Sequence, residues 1–218
     1  MHILAAMLAG ASLAGCAAST PAEPELAAKA IGSPPSWQGS VGASVLYEIG
    51  LDRVDHHDGR SAAYMSGPGT YTPEVAFLSQ LLRADNYRGK RVRLSAWVKA
   101  RGLGGPIAGL WMRVDGPGVV TGYDNMGTRP LSGTTDWHEA SVVLDVPTNA
   151  LGIVIGAMLQ GGGTLFIDDI KLEVVGNEVA STNMFDVPKA NTIDPATTAA
   201  NYLNAASIPV NVDFERKP

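Results

Sequence analysis

Cysteine is what the sequence has least of: Cys16 is the only one in 218 residues, so no disulfide can form within a monomer and packing must hold the fold. Charge of one sign is not concentrated either. A net charge of −5 with no dense run of Lys or Arg speaks against a partner bound through nucleic-acid phosphates. No apolar run reaches the roughly 18 residues that a membrane-spanning helix needs. With four His, one of them at position 2, and no Gly-x-Ser-x-Gly elbow, a Ser-His-Asp triad has no support. Gly161–Gly163 lacks the Lys and the helix start of a phosphate loop and is expected to be a hairpin turn.

What the sequence does have is alternation. In Arg91 to Ala100, Val92, Leu94, Ala96 and Val98 fall on one side, and Arg91, Arg93, Ser95, Trp97 and Lys99 on the other. Strand side chains alternate between the two faces of a sheet, so this is a half-buried antiparallel strand. Leu110, Met112 and Val114 alternate against Trp111, Arg113 and Asp115 in a second strand, reached through an expected loop at Gly102–Pro106. Further strands are read at 45–51 and 61–66, joined as a hairpin through His56–Gly59, and at 75–82, 119–123, 137–146, 151–159 and 165–175. In the last of these the inward parity moves from Leu165 and Ile167 to Ile170, Leu172 and Val174, which predicts a β-bulge at Asp168–Asp169. Many short strands between Gly and Pro turns give an all-β protein, an antiparallel two-layer sandwich over 37–175.

The ends differ from this middle. An apolar leader, His2 to Gly15, runs into Leu13-Ala14-Gly15-Cys16, which resembles a bacterial lipoprotein signal. That resemblance implies removal of residues 1–15, acylation of Cys16 and attachment to a membrane of the bacterial envelope. Residues 16–36, rich in Ala, Pro and Ser, read as a flexible tether. Residues 176–218 form a C-terminal extension. Within it, Asp194-Pro195 has the N-cap chemistry of a short helix running to about Ala205. Asn211-Val212-Asp213-Phe214-Glu215 is expected to return to the sandwich or to open a further module.

Gly89–Lys99, then Thr135-Asp136-Trp137, then Gly163–Ile170, in this order and spacing, resemble the galactose-binding-like jelly-roll modules, especially carbohydrate-binding modules of polysaccharide-degrading enzymes. The resemblance implies a jelly roll that binds a ligand without catalysis, and a structural calcium for which Asp168 and Asp169 are the candidate ligands. His56-His57-Asp58 reads as a turn before it reads as a metal site. Trp111 and Arg113, with Trp97 on the earlier strand, are the candidate ligand-binding residues, since an outward Trp beside Arg offers a stacking face and directional donors. The polar loop 124–130 adds Asp124, Asn125 and Arg129. The functional expectation is a non-catalytic, lipid-anchored envelope protein that binds a glycan or other polar ligand, with no nucleic-acid partner. Two further classes stay open: an envelope scaffold that binds another protein, and a hydrolase using Asp168, Asp169 and Asp124.

Overall fold

The structure, a computed structural model, describes residues 29–40, 47–69, 73–185 and 194–216. Cys16, the leader and most of the tether lie outside the described residues. Among the described residues are nine strands, β1 (Lys29–Ile31), β2 (Gln38–Ser40), β3 (Glu48–Asp52), β4 (Ala62–Gly67), β5 (Ala76–Arg83), β6 (Lys90–Gly116), β7 (Val119–Asp124), β8 (Gly133–Val146) and β9 (Gly152–Val175), and one helix, α1 (Pro195–Tyr202). All ladders between the strands are antiparallel. The fold is the expected all-β sandwich of jelly-roll type with a short helix near the C-terminus. No helix among the described residues is long and apolar enough to cross a membrane.

Two strands do most of the building. β6 and β9 pair along nearly their whole lengths, from Arg91↔Val175 to Asp115↔Gly152. The first half of β6 and the second half of β9 join β8, β4, β3 and β1 in one layer. The other halves join β7, β5 and β2 in the second. The ribbon bends where Gly104 faces Gly162 and the register shifts on both sides. This corrects two expectations, because Gly102–Pro106 is not a loop and Gly161–Gly163 is not a hairpin turn; both are the corner inside a continuous strand. Gly163 shows why the corner is glycine: its φ is 93°, and a Cβ there would collide with the carbonyl oxygen of Gly102.

The alternation places the core. Val92, Leu94, Val98, Leu110, Met112, Val114, Val142 and Leu144 are all fully buried between the layers. Opposing them from β9 are Ile153, Ile155 and Ile167. The predicted bulge is present: Ser95 pairs with Lys171 but Trp97 with Asp168, one residue more on β9, and Asp169 takes φ 49°. Ile170 is therefore buried, whereas Val174, at the end of the strand, is 52% exposed.

The tether begins to order earlier than expected, since Lys29–Ile31 pairs with β3 as an edge strand. The C-terminal segment returns to the core. Phe214 is fully buried beside Trp37, with ring centroids 5.4 Å apart. Trp37 Nε1 donates to the Asn211 carbonyl at 2.9 Å, and Ile170 N donates to the Val212 carbonyl at 3.0 Å. Glu215 accepts from the backbone N–H groups of Arg60 and Ser61.

Candidate functional site

On the outer side of the second layer the odd positions of β6 carry Trp111, Arg113 and Asp115, and they do not face solvent. Trp111 is 6% exposed, packed with Val154, Met158 and Tyr202. Phe77 meets it edge-on at 5.7 Å and Tyr123 lies at 6.4 Å. The cover is the chain's own extension. Met184 N donates to the Tyr123 carbonyl, Phe185 sits 5.2 Å from the Tyr123 ring, and α1 lays Tyr202 over Gly152. An outward Trp111 platform is thus corrected: alternation gave the right face, but a second small core is built on it.

Asp115 organises the polar end of this cluster. Its Oδ2 accepts from Arg113 Nη2 at 2.8 Å and from the Tyr202 hydroxyl at 2.6 Å. Burial, and then the Asp115 charge, push the Tyr202 phenol well above its ordinary range, so it stays a donor. Arg113 is driven by burial toward its neutral form, but Asp115 outweighs this and holds it charged. Beside α1 a cleft of about 390 Å³ opens between the β2–β5 edge and the end of the helix. Gln38, Gln80, Asn201 and Asn204 contribute carboxamides to its wall, with Leu81 and Val210 between them. Gln80 is itself anchored, donating to the Ser36 and Val210 carbonyls and accepting from Val210 N.

Asp124, Asn125 and Arg129 are not brought over Trp111. Asp124 pairs with Met112 in the ladder and so shares the inner face. It is fully buried, accepting from both Nη atoms of Arg129 at 3.2 and 2.7 Å and from Met126 N at 2.7 Å. Asn125 Oδ1 accepts from Gly127 N. These three residues fold their own loop.

Trp97 lies on the other layer. It is half-buried and stacks on His57, with centroids 3.9 Å apart and planes 11° from parallel, and Trp137 meets the same imidazole edge-on. His57 Nδ1 is 2.8 Å from Asp169 Oδ2. Asp168 Oδ2 accepts from the N–H groups of His57 and Asp58, and its Oδ1 from Asp169 N. Burial pushes the Asp168 carboxyl up to about 6 against these three donors. Its oxygens therefore hold the His57–Asp58 turn to the bulge, and among the described residues no group of three His, Cys, Asp or Glu is placed to share an ion.

Tyr202, Phe77 and Gly152 belong to the Trp111 cluster and escaped the sequence reading. The one signal for Tyr202 was a buried-type aromatic in a short, otherwise small and polar helix, Pro195–Tyr202.

No family model matches the chain. A protein of Bacillus subtilis (strain 168) named as the uncharacterized HTH-type transcriptional regulator YbfP is 40% identical over 150 residues, 68% of this chain and 50% of that one. The chain spans about half the length of this relative, and a match so long necessarily takes in β6, β7 and β8. Among solved structures, the enzymatically active domain of tailspike protein 4 of bacteriophage CBA120 superposes with a TM-score of 0.50 at 13% identity, over 66% of this chain and 20% of that one. The CBM22-1 xylan-binding domain of Paenibacillus barcinonensis Xyn10C gives 0.47 at 13% identity, over 68% of this chain and 96% of that one. These are likenesses of fold. The relative overturns the functional reading of the sequence: the chain is 40% identical to a protein named as a transcriptional regulator, and its reading as a lipid-anchored, glycan-binding envelope protein is withdrawn.

Proposed function

We propose that the chain acts in the control of transcription, as the part of a regulator that responds to a ligand rather than the part that holds DNA. The observation that carries this is the 40% identity to the B. subtilis protein, over a stretch that takes in β6, β7 and β8. Two features support the division of labour. The described residues contain a single eight-residue helix, so they do not form the helix pair that enters a major groove. The carboxamide-lined cleft beside α1 offers donors and acceptors without net charge, chemistry suited to a small uncharged polar molecule. DNA contact then comes from outside the described residues or from a partner.

The test is made in the native host with the full chain carrying an epitope tag. Deleting the gene should change a defined set of transcripts, and the tagged chain should be recovered with the promoters of that set in chromatin immunoprecipitation. Unchanged transcripts together with no promoter recovery would refute the proposal.

A further inference from the structure

Three neighbouring side chains beneath α1 each keep a buried polar atom without a partner: Trp111 Nε1, Arg113 Nε and Asp115 Oδ1. Folded proteins pair nearly all such atoms, so three on one row of one strand call for a function. Their cover is slight. α1 has eight residues, too few for a helix to hold itself in water, and only Thr198 and Tyr202 of it are buried. Tyr202 is the side chain that fastens it to Asp115, while the following residues are tied to β5 through Arg83 N and the Ala206 carbonyl.

The place that Tyr202 fills has a definite shape. Its floor is Gly152, where a Cβ would collide with the phenol ring. Trp111, Val154 and Met158 pack around the ring, and Asp115, paired with Arg113, stands at the hydroxyl end. The charged pair is confined to that end. A sugar, with hydroxyls all round, would bury several of them unpaired against the apolar walls, whereas a phenol carries its one donor to the carboxylate. The free Asp115 Oδ1 suits a second donor, and Arg113 Nε and Trp111 Nε1 suit an oxygen acceptor.

We infer that this slot is a binding site for a small hydroxyaromatic ligand, occupied in cis by Tyr202, and that a free hydroxyaromatic displaces Tyr202 and releases α1. The role of that release in the cell rests on the regulatory reading above; the binding does not. A tethered group acts at millimolar effective concentration, so the free ligand competes weakly with Tyr202 and binds well once it is removed.

The probe is p-cresol, the tyrosine side chain without its backbone, with toluene as the control that lacks the hydroxyl. In Tyr202→Ala of the full chain, p-cresol should bind at least tenfold tighter than toluene and raise the unfolding midpoint by about 4 °C or more at saturation. Asp115→Asn in that background should abolish the preference. In the unaltered protein p-cresol should bind at least tenfold more weakly and speed amide exchange in 195–202 while leaving β6 protected. Should Tyr202→Ala fail to fold, Tyr202→Phe keeps the ring, and its α1 should be released at a severalfold lower p-cresol concentration than in the unaltered protein. Equal binding of toluene and p-cresol, absence of binding, or binding that leaves α1 exchange unchanged would each overturn the inference. None of these readouts involves DNA, so intact binding with no transcript response sinks the regulatory reading alone.

Discussion

Replacing Phe214 tests whether the last described residues complete the core or merely lie on it. Phe214 is fully buried against Trp37, and its segment is tied to the sandwich through Asn211, Val212 and Glu215. Truncating a buried Phe to Ala removes its transfer energy and leaves a cavity, about 3–5 kcal/mol. In a chain of this size that lowers the midpoint by about 10 °C. The backbone adds a distinctive signature. Phe214 has φ 53°, a left-handed conformation that costs any residue with a Cβ about 1 kcal/mol. Phe214→Ala keeps that cost and Phe214→Gly relieves it, so the glycine variant should be the more stable of the two by about 1 kcal/mol, the reverse of the usual order. Ile208→Ala, at a position 58% exposed, should stay within about 0.5 kcal/mol. Urea titrations followed by tryptophan fluorescence and far-UV circular dichroism measure all three. A loss below about 1 kcal/mol in Phe214→Ala, or a glycine variant clearly weaker than the alanine one, would refute the reasoning.

Asp168 supplies a pH dependence. Its folded pKa, about 6, lies above the ordinary 3.8, so between these values the native state holds the extra proton and stability falls as pH rises, by about 3 kcal/mol in full. Chemical denaturation at pH 4 and pH 7 should show that slope in the unaltered protein and its loss in Asp168→Asn; parallel profiles would count against it. Arg129→Ala strands the Asp124 carboxylate, which is fully buried, and should cost about 3 kcal/mol, with part recovered by adding Asp124→Asn. Gly163→Ala should destabilise the fold at the corner, read as a lower midpoint, while Gly133→Ala, with nothing near its Cβ but the same sign of φ, should show only the backbone cost.

The parts of the fold legible in the sequence were those governed by local periodicity. Val92–Val98 and Ala140–Val146 show which face is buried because a period of two admits one assignment. The Asp168–Asp169 bulge could be read because it shifts that period by one. The glycine corners misled, since Gly102–Pro106 and Gly161–Gly163 have turn composition and only their mutual pairing turns them into a bend within long strands. The candidate site failed for a related reason. Alternation says that Trp111 leaves the main core but not what lies beyond it, and here α1, encoded some eighty residues later, closes over it. Asp124 and Arg129 looked like ligand contacts because a buried ion pair and an exposed binding loop have the same composition.

The shared ribbon also sets an order of assembly. Along β6 and β9 the chain separation between partners shrinks steadily from Arg91↔Val175 to Asp115↔Gly152. Loop closure costs less for shorter loops, so pairing begins at the Asp115–Gly152 end and runs toward the corner. The layer that carries the Trp111 cluster therefore nucleates first, and the layer with Trp97 is laid down by zippering around the bend. Pulse-labelled hydrogen exchange during refolding should protect Met112–Val114 and Ile153–Ile155 before Val92–Leu94 and Leu172–Val174. Simultaneous protection would show that the two layers collapse together.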